Sequence, residues 1–344
     1  MPAQHEAPDF TMDILITGSI AYDYLMRFPG RFREAIVLDA LDRISLSFLV
    51  EDMTRHYGGV AANIAYGVAL LGGRPRLMGT AGRDFDEYRQ RLEQVGVDTS
   101  TVIELTDVFT ATFFASTDLD NNQIANFYAG AMGRAGEYGI FDVTDRAPDL
   151  VVVSPNAPQA MTRLVDEAYE HNIPVFYDPS QQTPRMDGDT LRHGLMRSTY
   201  LAVNEYEWEL IAQKTGLQMT EVLERGTTIF ITRGKRGADI YHGAERVSIP
   251  AFEGVEIADP TGGGDAFRAG VLRGIQHSWP WEIVGQLGTL SATYAIEANG
   301  TQNHQFTLPD FVTRFRQHFA DGGLLDSWLV TAKANETTDP GDHR

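Results

Sequence analysis

Short apolar runs recur along the chain at intervals that suit buried strands. Ile14-Leu15-Ile16 is the first, and the small residues Thr17-Gly18-Ser19 close it. Further runs lie at 150–154, 174–178, 200–203 and 228–232. They lack polar alternation, as strands covered on both faces do. Between the first two of these, 160–171 reads as a helix. From 60 to 71 small apolar residues recur at helical spacing until Gly72-Gly73 ends the run. Alternating strands and helices predict an α/β fold with a mostly parallel sheet and helices on both faces. Such sheets bind ligands at the C-terminal ends of their strands. Those ends carry Ser19, Asp23, Asp178, Asn204, Gly234 and the segment from Asp259 onwards.

Two segments break this rhythm. In 22–55, Arg27-Phe28-Pro29-Gly30-Arg31 reads as a turn, and 43–50 alternates like a half-exposed strand. In 108–131 the pattern is strand-like and aromatic, with Phe113, Phe114, Phe127 and Tyr128. Together they predict a small separate sheet, a lid, within one domain over 13–330. Residues 334–344 are rich in Thr, Asp, Gly and Pro and read as a disordered tail.

Charge narrows the ligand class. The 344 residues carry 28 Lys+Arg against 47 Asp+Glu, a net charge of -19. That surface repels nucleic acid and anionic membranes. Small phosphorylated ligands stay open, because backbone N–H groups bind them whatever the global charge. The chain has no cysteine, which excludes disulfides, thiolate catalysis and Cys-ligated zinc. No apolar run approaches the roughly 18 residues of a spanning helix. The first residues lack the basic start and apolar centre of a signal peptide, so the expected location is the cytoplasm.

The strongest chemical motif is Asp259-Pro260-Thr261-Gly262-Gly263-Gly264-Asp265-Ala266-Phe267. Three glycines let the backbone approach a ligand, and the helix they open, running to about His277, presents free N–H groups to an anion. Asp265 at this place is equally an ordinary helix cap. In a phosphoryl-transfer site it would instead take the proton of an attacking hydroxyl, while the glycine N–H groups stabilise the transferred group. Three weaker motifs accompany it. Tyr57-Gly58-Gly59-Val60-Ala61-Ala62-Asn63 is a glycine pair before a helix, Asn204-Glu205-Tyr206-Glu207 ends a strand, and Thr232-Arg233-Gly234-Lys235-Arg236-Gly237 is a Gly-bearing turn. No P-loop, no dinucleotide fingerprint, no H-E-x-x-H and no G-x-S-x-G occurs. A nicotinamide-dependent dehydrogenase is thereby excluded.

In combination these motifs resemble the ribokinase-like (PfkB) family of sugar and nucleoside kinases, from Asp13 to about residue 320. The stretches 17–23, 25–32, 45–50, 178–182, 204–208 and 265–270 are similar to the actinobacterial-type adenosine kinases within it. The resemblance implies a three-layer α/β/α sandwich with a β-sheet lid. It implies adenosine and ATP as substrates, Mg²⁺ and, as in many members, K⁺ as cofactors, and a homodimer formed through the lid. It makes Asp265 the general base and Gly262, Gly263 and Gly264 an anion hole. Asp23, Gly58, Gly59 and Asn63 would hold the ribose hydroxyls. Asn204 and Glu207 would organise phosphate and Mg²⁺ through water, and Thr232, Gly234 and Gly237 would line the ATP side. Asp259, Thr261, Ala298 and Gly300 are the K⁺ candidates.

Some of this stands on chemistry alone. A carboxylate such as Asp23 accepts two hydrogen bonds from a vicinal diol. Phe113 and Phe127 are equally core of a small sheet or faces for a flat purine. With the resemblance they are assigned to a purine pocket with Met132. Ser19, Ser47, Gln181 and Gln182 would supply its polar contacts. Val60 stands where ribokinases carry a lysine after the glycine pair, which weighs against free ribose. Two other classes stay open: a kinase for another nucleoside or a sugar, and a non-catalytic nucleoside-binding protein. An intact Asp265 beside a glycine run argues against the latter.

Overall fold

The computed structural model describes residues 12–36 and 46–330. The expected tail lies outside them, as does the 43–45 part of the expected strand 43–50. In chain order the strands are β1 (Ile14–Thr17), β2 (Ala21–Arg27), β3 (Asp52–Gly58), β4 (Arg76–Gly82), β5 (Val102–Leu105), β6 (Ala111–Thr117) and β7 (Gln123–Tyr128). They continue with β8 (Leu150–Val153), β9 (Val175–Tyr177), β10 (Tyr200–Asn204), β11 (Thr228–Thr232), β12 (Ala238–His242) and β13 (Glu245–Ile249).

Nine of these form one sheet in the order β13-β12-β11-β10-β9-β8-β1-β4-β5. Its pairs are parallel from β5 to β11, and the last two are antiparallel. Both faces are covered, and successive residues of one strand serve opposite cores. Ile14, Ile16, Val152, Phe176 and Phe230 pack with the helices Val60–Leu70 and Gly263–Gln276. Leu15, Val151, Val153, Val175 and Leu201 pack with the helices Pro158–Glu170 and Glu205–Thr215. This two-sided burial is why the strands read as unbroken apolar runs.

The other four strands form an antiparallel-edged sheet in the order β3-β2-β6-β7. It is the expected small sheet, with one correction. The strand beside β2 is 52–58, because β2 and β3 pair from Ala21↔Gly58 to Arg27↔Asp52. The pairing ends at the Glu51 N–H bond to the Arg27 carbonyl, 3.0 Å. Residues 46–50 lie beyond that last rung and form no strand.

The helix Gly263–Gln276 packs most closely on the helix Trp281–Ile296. A Cβ on Gly270 would stand 2.5 Å from the Leu287 carbonyl oxygen and 2.7 Å from Gly288 Cα. Both are backbone atoms that cannot swing away. Gly270→Ala should therefore lower stability by about 1–3 kcal/mol, despite alanine's better helix propensity. Thermal unfolding followed by circular dichroism checks this; an unchanged or raised melting temperature would contradict the packing.

Candidate active site

The glycine run becomes a helix start. Gly262 caps the helix Gly263–Gln276 in a left-handed conformation, φ +83°. A side chain there would press on Thr301, 3.0 Å away. Asp265 lies in the first turn, half-buried. The Asn63 side-chain amide donates to its Oδ2 at 2.8 Å. Asn63 is buried in the first turn of the helix Val60–Leu70. Its carbonyl oxygen accepts from Gln302 Nε2 at 2.9 Å and lies 3.0 Å from the Thr301 hydroxyl. Those two contacts fix which end of the amide faces Asp265. Burial raises the Asp265 carboxyl above its ordinary value, and the Glu207 charge adds to this; Arg268 and the Asn63 bond oppose it. A base so raised is poised nearer neutral pH.

The glycine pair at 58–59 makes room for Asp23. A Cβ on Gly58 would stand 2.7 Å from Asp23 Oδ2, and Gly59 takes φ +91° tight against the Ser19 carbonyl. Burial pushes the Asp23 carboxyl up to about 6, with His56 opposing. The register places Asp23 opposite His56 on one side and Phe113 on the other, with Phe127 opposite Phe113. Asp23, Phe113 and Phe127 thus share one face of the lid. Phe113 is half-buried and Phe127 about half exposed. Met132 follows on a 3-10 segment, Gly130–Glu137.

Ser19 is buried, and its hydroxyl accepts from the Val60 N–H at 3.0 Å, so it caps the helix that carries Asn63. Gln181 and Gln182 lie on a 3-10 turn after β9; Gln181 is exposed, while Gln182 is buried with Oε1 unpartnered. Ser47 sits in the exposed segment 46–50, and no described contact joins it to Asp23 or Asp265.

The other motifs are partly structural. Asn204 and Glu207 form a reciprocal capping box, each side chain accepting from the other's backbone N–H at 2.8 Å. This is the capping arrangement a residue pair of this spacing favours, and it occupies one oxygen of Glu207. Asn204 and Thr232 are register partners at adjacent strand ends. Gly234 and Gly237 take φ +54° and +85° in the next turn. A Cβ on Gly237 would meet the Ile249 carbonyl, whereas one on Gly234 would meet nothing within 4 Å. Gly237 is required by packing, and Gly234 lies on the open side. Asp259 accepts from the N–H groups of Thr261, 2.9 Å, and Gly300, 3.0 Å. It thus joins the two segments that hold Thr261, Ala298 and Gly300. Among the described residues no group of three or more His, Cys, Asp or Glu could hold a metal, and no helix is long and apolar enough to cross a membrane.

The structure adds residues the motifs did not assign. Thr301 and Gln302 orient Asn63, His56 stands beside Asp23, and Arg268 is buried against Asp178. Of these, only Asp178 and Arg268 had a signal, Asp178 a strand end and Arg268 a place in the 265–270 stretch that carries the resemblance. Thr301 and Gln302 belong to no pattern.

Known proteins share this architecture. A nucleoside kinase of Burkholderia thailandensis, solved in complex with inosine, is 41% identical with a TM-score of 0.76, over 89% of this chain and 98% of that one. The same protein in complex with ADP-inosine gives 41% and 0.74, over 89% and 96%. A nucleoside kinase of Methanocaldococcus jannaschii is 28% identical over 307 residues, 89% of this chain and 97% of the relative. A cytidine kinase of Thermococcus kodakarensis is 29% identical over 286 residues, 80% and 93%. The model of the pfkB family carbohydrate kinases matches residues 20–307, a span that holds both the Asn63–Asp265 contact and the lid, and the chain belongs to that family.

Proposed function

We propose that the protein is a nucleoside kinase that transfers the γ-phosphoryl group of ATP to the 5′-hydroxyl of a nucleoside, with adenosine as the expected acceptor. The Asn63–Asp265 hydrogen bond beside a glycine-capped helix start carries this reading. The inosine and ADP-inosine complexes of the Burkholderia relative support a nucleoside and an adenine nucleotide as the substrate pair.

Asp265 takes the proton as the 5′-oxygen forms its bond to phosphorus and the bond to the ADP oxygen breaks. The N–H groups of Gly262 and Gly264 stabilise the transferred group, joined by that of Gly263 when it leaves its 3.4 Å bond to the Pro260 carbonyl. Asp23 accepts from the ribose diol, with Gly58 and Gly59 leaving room for it. Phe113, Phe127 and Met132 face the base, with Ser19, Gln181 and Gln182 as polar neighbours. Asn204, Thr232 and Gly234 lie on the ATP side. Mg²⁺ would arrive with the nucleotide and neutralise phosphate charge. The residues fit such a nucleotide-borne ion, since Glu207 has one oxygen outside its capping bond to reach it through water. K⁺ would be held beside the anion hole by Asp259, Thr261, Ala298 and Gly300. A second copy would cover the lid, where all six residues of β7 are exposed and Phe114, Ile124 and Tyr128 are outward.

Asp265→Asn should lose at least ~10²-fold in turnover while nucleoside affinity, read by calorimetry, survives. Near-normal turnover would contradict the base assignment. The Asp23 carboxyl, raised to about 6, gives a pH dependence. Its ionised form accepts the diol, so the nucleoside KM should climb as pH falls through that value. A KM flat across that range, measured by initial rates, would contradict the role of Asp23.

A further inference from the structure

One turn along the helix from Asp265, Arg268 is buried. Its Nη2 donates to Asp178 Oδ1 at 2.6 Å, and its Nη1 donates to the Gly264 carbonyl at 2.9 Å. Asp178 is itself fully buried at the end of β9, so the pair is out of water. Replacing such a pair by apolar residues is often neutral or stabilising, so stability alone gives no reason for it here. Geometry does. The guanidinium bridges the first turn of the helix Gly263–Gln276 to the strand end that continues into Gln181 and Gln182. The fit at Gly264 is close, since a Cβ there would stand 2.9 Å from Arg268 Nη1. Ser180, between Asp178 and Gln181 in the chain, takes φ +39°, a left-handed conformation that the surroundings must hold.

We propose that the buried Asp178–Arg268 pair is a positioning element for phosphoryl transfer, holding the first turn of the helix Gly263–Gln276, with Asp265 and the glycine N–H groups, in place against the end of β9. The inference rests on the kinase reading above. Arg268 acts through Gly264 and Asp265. The charged groups facing Asp265 are Arg268 from its own helix, Glu207 from the helix Glu205–Thr215 and Asp178 from β9, while Asn63 is a neutral donor.

The test begins with wild-type turnover of Mg·ATP and a nucleoside panel, which fails if the kinase reading is wrong, whatever the variants do. With that activity in hand, three variants separate geometry from charge. Arg268→Lys keeps the cation but cannot span both partners. Arg268→Gln removes the cation. Asp178→Asn keeps the shape of the acceptor and serves if the arginine variants do not fold. In variants that melt cooperatively, Arg268→Lys and Asp178→Asn should lose about 10–10²-fold in kcat with the nucleoside KM little changed. The acid limb of the kcat profile should move to higher pH in Arg268→Gln, where the cation favouring the carboxylate is gone, and stay in Arg268→Lys. Wild-type kcat in folded Arg268→Lys and Asp178→Asn, or a loss that appears only in KM, would overturn the proposal.

Discussion

The hydrogen bond from Asn63 to Asp265 joins residues 202 positions apart, and the rest of the site is arranged around it. An amide can donate to a carboxylate only if its other end is kept from turning inward. Gln302 and Thr301 do this by occupying the carbonyl oxygen. The single Thr301 hydroxyl proton is shared between that oxygen and the Tyr57 carbonyl, 2.9 Å away near the end of β3. One buried amide therefore ties together both helices of the site, the segment after Gly300 and the lid strand leading into Gly58-Gly59. A hydrogen bond to a charged group is worth about 1.5–3 kcal/mol, enough to hold one arrangement among several compact ones.

A second constraint is electrostatic. With a net charge of -19, the chain has no general attraction for phosphate, which leaves an anion to local backbone N–H groups. The cation nearest Asp265, Arg268, is committed to Asp178 and the Gly264 carbonyl. Lys214 donates to the carbonyls of Thr183, Pro184 and Met186. In the proposed reaction the glycine turn would meet an anion with neutral N–H groups and the helix dipole, which need no surface positive charge.

Much of the fold was legible in the sequence, for a physical reason. Strands buried on both faces leave unbroken apolar runs, and β1, β8, β10 and β11 lie where those runs are. β4 was not legible, because Gly79 and Gly82 sit inside it. A Cβ on Gly79 would stand 2.7 Å from the Gly18 carbonyl, and one on Gly82 would stand 2.2 Å from the backbone carbon of Phe109. Close backbone approach puts glycines where an apolar run would otherwise mark a strand. The alternation over 46–50, the described part of the expected strand, misled in the opposite sense, since period-2 patterning does not supply a neighbour to pair with. In the site, the glycine runs and Asp265 were legible because they are contiguous. The bonds that orient Asn63 and bury Arg268 span 238, 239 and 90 residues, and no local pattern records such distances.

The proposed chemistry is phosphorylation of a nucleoside at this site. The most direct measurement is ADP release from Mg·ATP, with K⁺ present, against adenosine, inosine, guanosine, cytidine, ribose and fructose. Turnover is expected with nucleosides, adenosine foremost, and little with the bare sugars. Turnover with ribose or fructose alone would contradict the nucleoside assignment and remove Phe113 and Phe127 from the binding of a base, while no turnover with any acceptor would contradict the kinase reading itself.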